Sequence, residues 1–145
     1  GKGLEASGFA KWIALAITNQ SFIELNPWTL SVISAIMAFL ITYPASNTAS
    51  SLIACPIAAS LSIGAGINPL PAVISAALAA SISSALPSTT PPMAIVYGSK
   101  YIKLWNMFKV GMVADTIRLI LLILIEPYLA IYLCQLKGIP LFLRV

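Results

Sequence analysis

Charge is what this sequence lacks. From Leu25 through Ser99 there is no Asp, Glu, Lys or Arg, and histidine is absent from all 145 residues. Charged residues make up 8% of the chain, where a soluble domain carries about a quarter. A small fold leaves a large share of its residues at the surface, so so long an uncharged stretch offers no polar coat to water. Hydrophobic residues reach 59% and the mean hydropathy is +0.96. A soluble globular domain is excluded, and lipid is the solvent expected for most of the chain.

Other absences narrow the chemistry. The two cysteines, Cys55 and Cys134, are far apart in apolar segments, with neither metal-ligand spacing nor a disulfide framework; they read as small packing residues. The basic residues Lys2, Lys11, Lys100, Lys103, Lys109, Arg118, Lys137 and Arg144 are scattered. The net charge of +4 therefore reports membrane topology rather than nucleic-acid binding. Serine is plentiful, but no histidine exists and no lysine lies in the apolar run to activate it, which argues against an intramembrane hydrolase. The first residues lack the basic-then-apolar pattern of a signal peptide. A chain opening on Gly1 reads as a piece of something longer.

What is present is a set of apolar segments of unequal length. One runs from Trp28 to Tyr43 and a second from Ala49 to Ile63, around Pro44-Ala45-Ser46-Asn47-Thr48. Each arm is about 15 residues, short of the ~20 needed to cross the hydrocarbon as a helix. Short arms around a polar, Pro-containing tip read as a re-entrant helical hairpin, and such backbone is tolerated at membrane depth only against protein or a wet cavity. Gly64-Ala65-Gly66-Ile67-Asn68-Pro69 closes the hairpin. A third segment runs from Leu70 through a Ser/Ala-rich stretch to Leu86, is interrupted by Pro87-Ser88-Thr89-Thr90-Pro91-Pro92, and resumes from Met93 to Val96. Three prolines so close together cannot sit inside a continuous helix, so the spacing predicts one membrane helix broken in its middle. A fourth segment, Met107 to Leu133, is long enough to span. Its Asp115 and Arg118 share a helix face and can pair; structural neutralisation is the expected role. Glu126-Pro127 reads as a kink or as the outer interface. At the N-terminus, an interfacial helix is expected around Phe9 to Ile17, with Trp12 and Trp28 at headgroup level. Lys100, Lys103 and Lys109, with no acid between them, place their loop in the cytoplasm, leaving the hairpin feet and the C-terminus outside.

The chemistry is expected at the two polar interruptions. Unwound backbone exposes carbonyls at half-helix C-termini, which coordinate cations, and N–H groups at half-helix N-termini, which attract anions. Paired interrupted segments are the pattern of a secondary transporter's midplane site. With no ionisable group in this core, a cage of neutral oxygens for a monovalent cation beside an anion site fits, and sodium is the natural ion. The other serines, such as Ser60, Ser62, Ser75, Ser81, Ser83 and Ser84, read as packing and back-bonding residues.

At these two stretches the sequence resembles the divalent anion:sodium symporters, carriers of dicarboxylates, tricarboxylates or sulfate. Ala45-Ser46-Asn47-Thr48-Ala49-Ser50 is similar to that family's Ser-Asn-Thr hairpin tip, and Leu86 to Tyr97, with Thr90-Pro91-Pro92, to its Thr-Pro-Pro helix break. Supporting likeness lies in Lys2 to Gly8, Gly66-Ile67-Asn68-Pro69 and Lys103 to Gly111. The likeness departs at Met93, where Asn is usual, and at Thr89, where Ala is common. The resemblance implies an all-α membrane protein built from inverted repeats, of which this chain holds one set. It implies a sodium site from backbone carbonyls near Thr42, Ala45 and Thr89 with the Asn47 side chain. It further implies a substrate site from Ser46, Asn47, Thr48, Thr90 and Pro91. By the same likeness the protein is a homodimer in a plasma or bacterial inner membrane, the N-terminal half of the transporter completes the site, and an elevator-like motion carries it across.

The expected organisation is thus residues 1–27 as the end of a preceding element with the interfacial helix, 28–66 as the hairpin, 69–99 as the broken helix and 106–145 as the C-terminal helix and tail. The function expected is sodium-coupled transport of divalent anions, without enzymatic activity. Two other readings remain open at this point: another oxyanion or proton-coupled carrier of the wider ion-transporter group, and a non-transporting membrane subunit whose polar breaks only pack.

Overall fold

The computed structural model describes Trp12 and residues 25–143. The expected interfacial helix lies outside the described residues except for Trp12, which is helical and exposed. Five helices follow: α1 Pro27–Thr42, α2 Asn47–Gly64, α3 Leu70–Ala80, α4 Pro91–Gly98 and α5 Leu104–Leu136. There is no strand among the described residues, only an isolated bridge between Ile67 and Phe142.

Local chemistry sets the helix ends. Asn26 caps α1, its Oδ1 accepting from Thr29 N–H at 2.8 Å, and Pro27 supplies the fixed φ suited to a first turn. Ser46 caps α2 by accepting from Ala49 N–H. Only residues 43–46 separate the two helices, so the chain reverses directly. α2 ends in a Schellman motif: Gly66 takes φ +70°, its N–H reaches the Ile63 carbonyl, and the Ile67 N–H reaches that of Ser62. α5 ends the same way at Gly138.

The core is made of small side chains. Ala35, Ala38, Ala58, Ala72, Ala76 and Ala79 are each at most 1% exposed and let α1, α2 and α3 pack closely, which is how helices associate where no hydrophobic effect drives them together. α5 lies across α1 and α3. Its 33 residues make about 50 Å of helix, well beyond the ~30 Å hydrocarbon thickness. It is the one described helix long and apolar enough to span, with mean hydropathy 2.1 over its best window. Val110, Val113, Ile117, Leu121, Leu124 and Leu133 leave its outer face apolar and exposed, as a lipid-facing surface must be.

One difference from the sequence reading bears on the site. α3 stops at Ala80 instead of reaching Leu86, and residues 81–90 are not helical. The break is longer than its prolines require because side chains elsewhere hold this backbone. Asp115 accepts from the Ser84 N–H, and the Arg118 guanidinium donates to the Ile82 carbonyl.

Gly111 explains how α5 comes so close to this stretch. A Cβ at that position would lie 2.4 Å from Ala85 Cα and 2.9 Å from Ala85 N. Backbone cannot yield as a flexible side chain can, so Gly111→Ala is expected to cost about 1–3 kcal/mol or more. Thermal unfolding of the purified protein should show this as a lowered midpoint, whereas Gly98→Ala, with nothing within 4 Å of its Cβ, should change it little.

Loop 65–69 and the tail meet at one end of the bundle. Asn68 N–H donates to the Leu141 carbonyl, Leu143 N–H to that of Gly66, and Asn68 Nδ2 to that of Pro140. The end of α2 and the C-terminal tail therefore lie at the same end of the bundle.

Candidate functional site

The α1–α2 turn and the non-helical stretch 81–90 lie against each other. The Asn47 backbone N–H, at the start of α2, donates to the Thr89 carbonyl at 3.2 Å. The Asn47 Nδ2 donates to the Ser81 carbonyl at 3.4 Å. Thr42, fully buried at the end of α1, places its Oγ1 2.8 Å from the Ala80 carbonyl and 2.8 Å from Asn47 Oδ1. Three polypeptide ends thus meet: the last turn of α1, the first turn of α2 and the last turn of α3.

Counting protons in this knot is informative. The Thr42 hydroxyl has one proton and faces two acceptors, so it satisfies only one of them. Turning the Asn47 amide over lets its nitrogen donate to Thr42, but then its oxygen faces the Ser81 carbonyl. In either orientation, oxygen acceptors outnumber donors. Among the described residues no charged side chain is hydrogen-bonded here to relieve the excess. A hard monovalent cation suits such a set of neutral oxygens, so the residues present fit a sodium ion.

The other expected site residues are distributed as follows. Ala45 is half-buried in the turn, and Ser46 is exposed with its hydroxyl occupied as the α2 cap. Thr48 is exposed, and its carbonyl accepts from Ser51 Oγ. Thr89 is 2% exposed, and its hydroxyl turns back to the Leu86 carbonyl at 2.8 Å, so the residue offers the knot its carbonyl and not its side chain. Thr90 caps α4 through its backbone alone, and Pro91 is its exposed first residue. Among the described residues no hydrogen bond joins Ser46 or Thr48 to Thr90 or Pro91. Asn47 and Thr89 are brought together; among the described residues Ser46, Thr48 and Thr90 are not hydrogen-bonded to one another. The N-terminus of α2 supports the knot directly, while α4 begins two residues after Thr89, so two positive helix ends lie near it. Met93 does not join the knot. It lines an apolar cavity of about 420 Å³ between α4 and α5, with Val96, Met107 and Gly111.

Sequence reasoning missed three contributors. The Ala80 and Ser81 carbonyls were hidden because the helix seemed to continue beyond them. Asp115 is the third: completely buried, it accepts from Ser84 N–H at 2.8 Å, Ser84 Oγ at 2.6 Å, Tyr43 Oη at 3.1 Å and Arg118 at 3.2 Å. It ties the residue after α1 and the middle of the break to α5. Pairing with Arg118 was legible from the i, i+3 spacing; the three neutral donors were not.

The sequence profile of the sodium:sulfate symporter transmembrane region matches residues 1–136. The sodium-dependent dicarboxylate transporter SdcS of Staphylococcus aureus strain MRSA252 is 35% identical over 128 residues, which is 88% of this chain and 24% of the relative. SdcS of strain USA300 is 35% identical over 127 residues, with the same coverage. The chain spans about a quarter of the length of the curated relatives it matches.

Proposed function

Because this chain belongs to the sodium:sulfate symporter family, the divalent anion:sodium symporters, we propose that it is the C-terminal portion of a sodium-coupled carrier of dicarboxylates or related divalent anions. The family and the matched relatives are membrane transporters and not enzymes. The observation that carries the proposal is the oxygen-rich knot of Thr42, Asn47, Ala80 and Ser81, closed by the Asn47–Thr89 backbone bond.

On this reading sodium sits among the neutral oxygens of Thr42, Ala45, Asn47 and Thr89, with the Ala80 and Ser81 carbonyls added to that set. The ion and two helix N-termini then supply the positive potential that the charge-free sequence withholds. Ser46, Asn47, Thr48, Thr90 and Pro91 face one carboxylate of the substrate. Without sodium, the acceptor excess repels an anion; with it, the anion is held. This ties binding of one to binding of the other, which is the requirement for coupling. Residues 28–66 act as a re-entrant hairpin and 69–99 as a broken membrane helix. The N-terminal half of the same transporter supplies the other half of the site. The carrier works as a homodimer with an elevator-like movement.

The test is uptake of labelled succinate into proteoliposomes holding the full-length protein, with an inward sodium gradient against an equal potassium gradient. Uptake in sodium alone is expected. Uptake indifferent to sodium would overturn the coupling. Absence of uptake for succinate, citrate and sulfate alike would favour a non-transporting subunit.

A further inference from the structure

Glu126 is the buried carboxylate that the proposed site does not use. It lies on the membrane-spanning helix α5 and is 7% exposed. Ser75 Oγ on α3 donates to its Oε2, while Oε1 is enclosed and has no hydrogen-bond partner. Among the described helices, those packed most closely on α5 are α1 and α3, and neither contains an ionisable side chain. On α5 itself the nearest basic residue is Arg118, about 12 Å away along the axis, and it is committed to Asp115 and to the 81–84 stretch. Lys137 follows α5 about 16 Å beyond Glu126 and is exposed. Asp115 lies about three turns from Glu126 along α5 and is itself fully occupied. Tyr128 and Tyr132 are exposed, and Cys134 is buried two turns on.

A carboxylate buried without a cation needs its charge cancelled. A lysine, an arginine or a hydrated ion from outside the bundle cannot do this, because Oε1 has no accessible surface to meet it. The neutralising species must be as small as a proton. We propose that Glu126 and Ser75 form a proton site at the joint between α3 and α5, occupied when the two helices are packed together. The carboxyl then carries its proton on one oxygen and exchanges a hydrogen bond with the Ser75 hydroxyl on the other side of the joint. α3 leads directly into residues 81–90 and their carbonyls in the knot, so the proton holds the floor of the candidate ion site. The site does not depend on the assignment of substrate or coupling ion.

Infrared difference spectroscopy of the purified full-length protein tests this without transport. A carboxylic-acid C=O stretch at neutral pH, present in wild type and missing from Glu126→Gln, is the expected result. Ser75→Ala should shift that band by removing its hydrogen bond while leaving the proton in place, and it serves if Glu126→Gln does not fold. A neutral-pH spectrum in which neither variant alters a carboxylic-acid band, with Glu126 appearing as carboxylate, would overturn the proposal. Succinate uptake followed from neutral to alkaline pH gives a second readout. Wild type should lose activity at the alkaline end and Glu126→Gln, which keeps the shape of the protonated group, should not. Identical alkaline profiles would overturn the link to the ion site. Failure of sodium coupling would leave the infrared result untouched, so the two readings fail separately.

Discussion

Asn47→Ala in the full-length protein is expected to abolish sodium-driven uptake at physiological sodium, through a loss of ion affinity of tenfold to about a hundredfold. The magnitude follows from the side chain's position. Its amide oxygen is one of the acceptors around Thr42 Oγ1, and its nitrogen holds the Ser81 carbonyl in place. A hydrogen bond or ligand contact to a charged partner contributes about 1.5–3 kcal/mol, and each 1.4 kcal/mol is tenfold in affinity. The fold should survive. Asn47 is half-buried, Ser46 remains as the α2 cap, and the Asn47 backbone bond to Thr89 does not involve the side chain. The measurement is the sodium concentration for half-maximal uptake, which should rise by that factor while the thermal midpoint moves little. An unchanged sodium response would remove Asn47 from the ion site and leave the knot as packing.

The family resemblance and the architecture were legible for different reasons. The absence of charge from Leu25 to Ser99 marked the lipid phase directly, and the apolar runs Trp28 to Tyr43 and Ala49 to Ile63 placed α1 and α2 to within two residues. The end of α3 was not legible. Ala, Ser and Ile continue past Ala80 without a breaker until Pro87, and a single-chain reading had no reason to stop a helix there. What stops it is tertiary: the Thr42 hydroxyl and the Asn47 amide take the Ala80 and Ser81 carbonyls, and Asp115 takes the Ser84 N–H. Serines at such positions compete for backbone groups only when partners elsewhere favour the unwound form. Part of the candidate site was legible for the converse reason, since Asn47 and Thr89 lie in stretches whose polarity and prolines stand out from an apolar chain. Glu126 was read as a kink or interface residue because sequence cannot show that Ser75, on another helix, faces it.

Asp115→Ala is the substitution expected to damage the structure most. Asp115 is fully buried and accepts four hydrogen bonds, so its removal strands the Ser84 N–H, the Ser84 hydroxyl and the Tyr43 hydroxyl together. Leaving such groups without partners costs about 1–3 kcal/mol each, and breaking a buried charged arrangement costs about 3–5 kcal/mol in all. The thermal midpoint should fall by the larger amount, and uptake should be lost because residues 81–90 are no longer tied to α5. Two other substitutions decide what Asp115 is for. Arg118 is 56% exposed on its side chain, so the ion pair with it is partly screened by solvent. Arg118→Gln should therefore cost less than Asp115→Ala, because the Asp115 carboxylate loses its cation but keeps its three neutral donors. Asp115→Asn should lie between, because its oxygen still accepts from Ser84 N–H while its nitrogen cannot accept from the hydroxyls. If instead Arg118→Gln were as damaging as Asp115→Ala, the charge pair would be the essential element, and the clamp on Ser84 and Tyr43 would be incidental. The bonds from neutral donors are shorter and more numerous than the ion pair, and that ordering is what the three midpoints should reproduce.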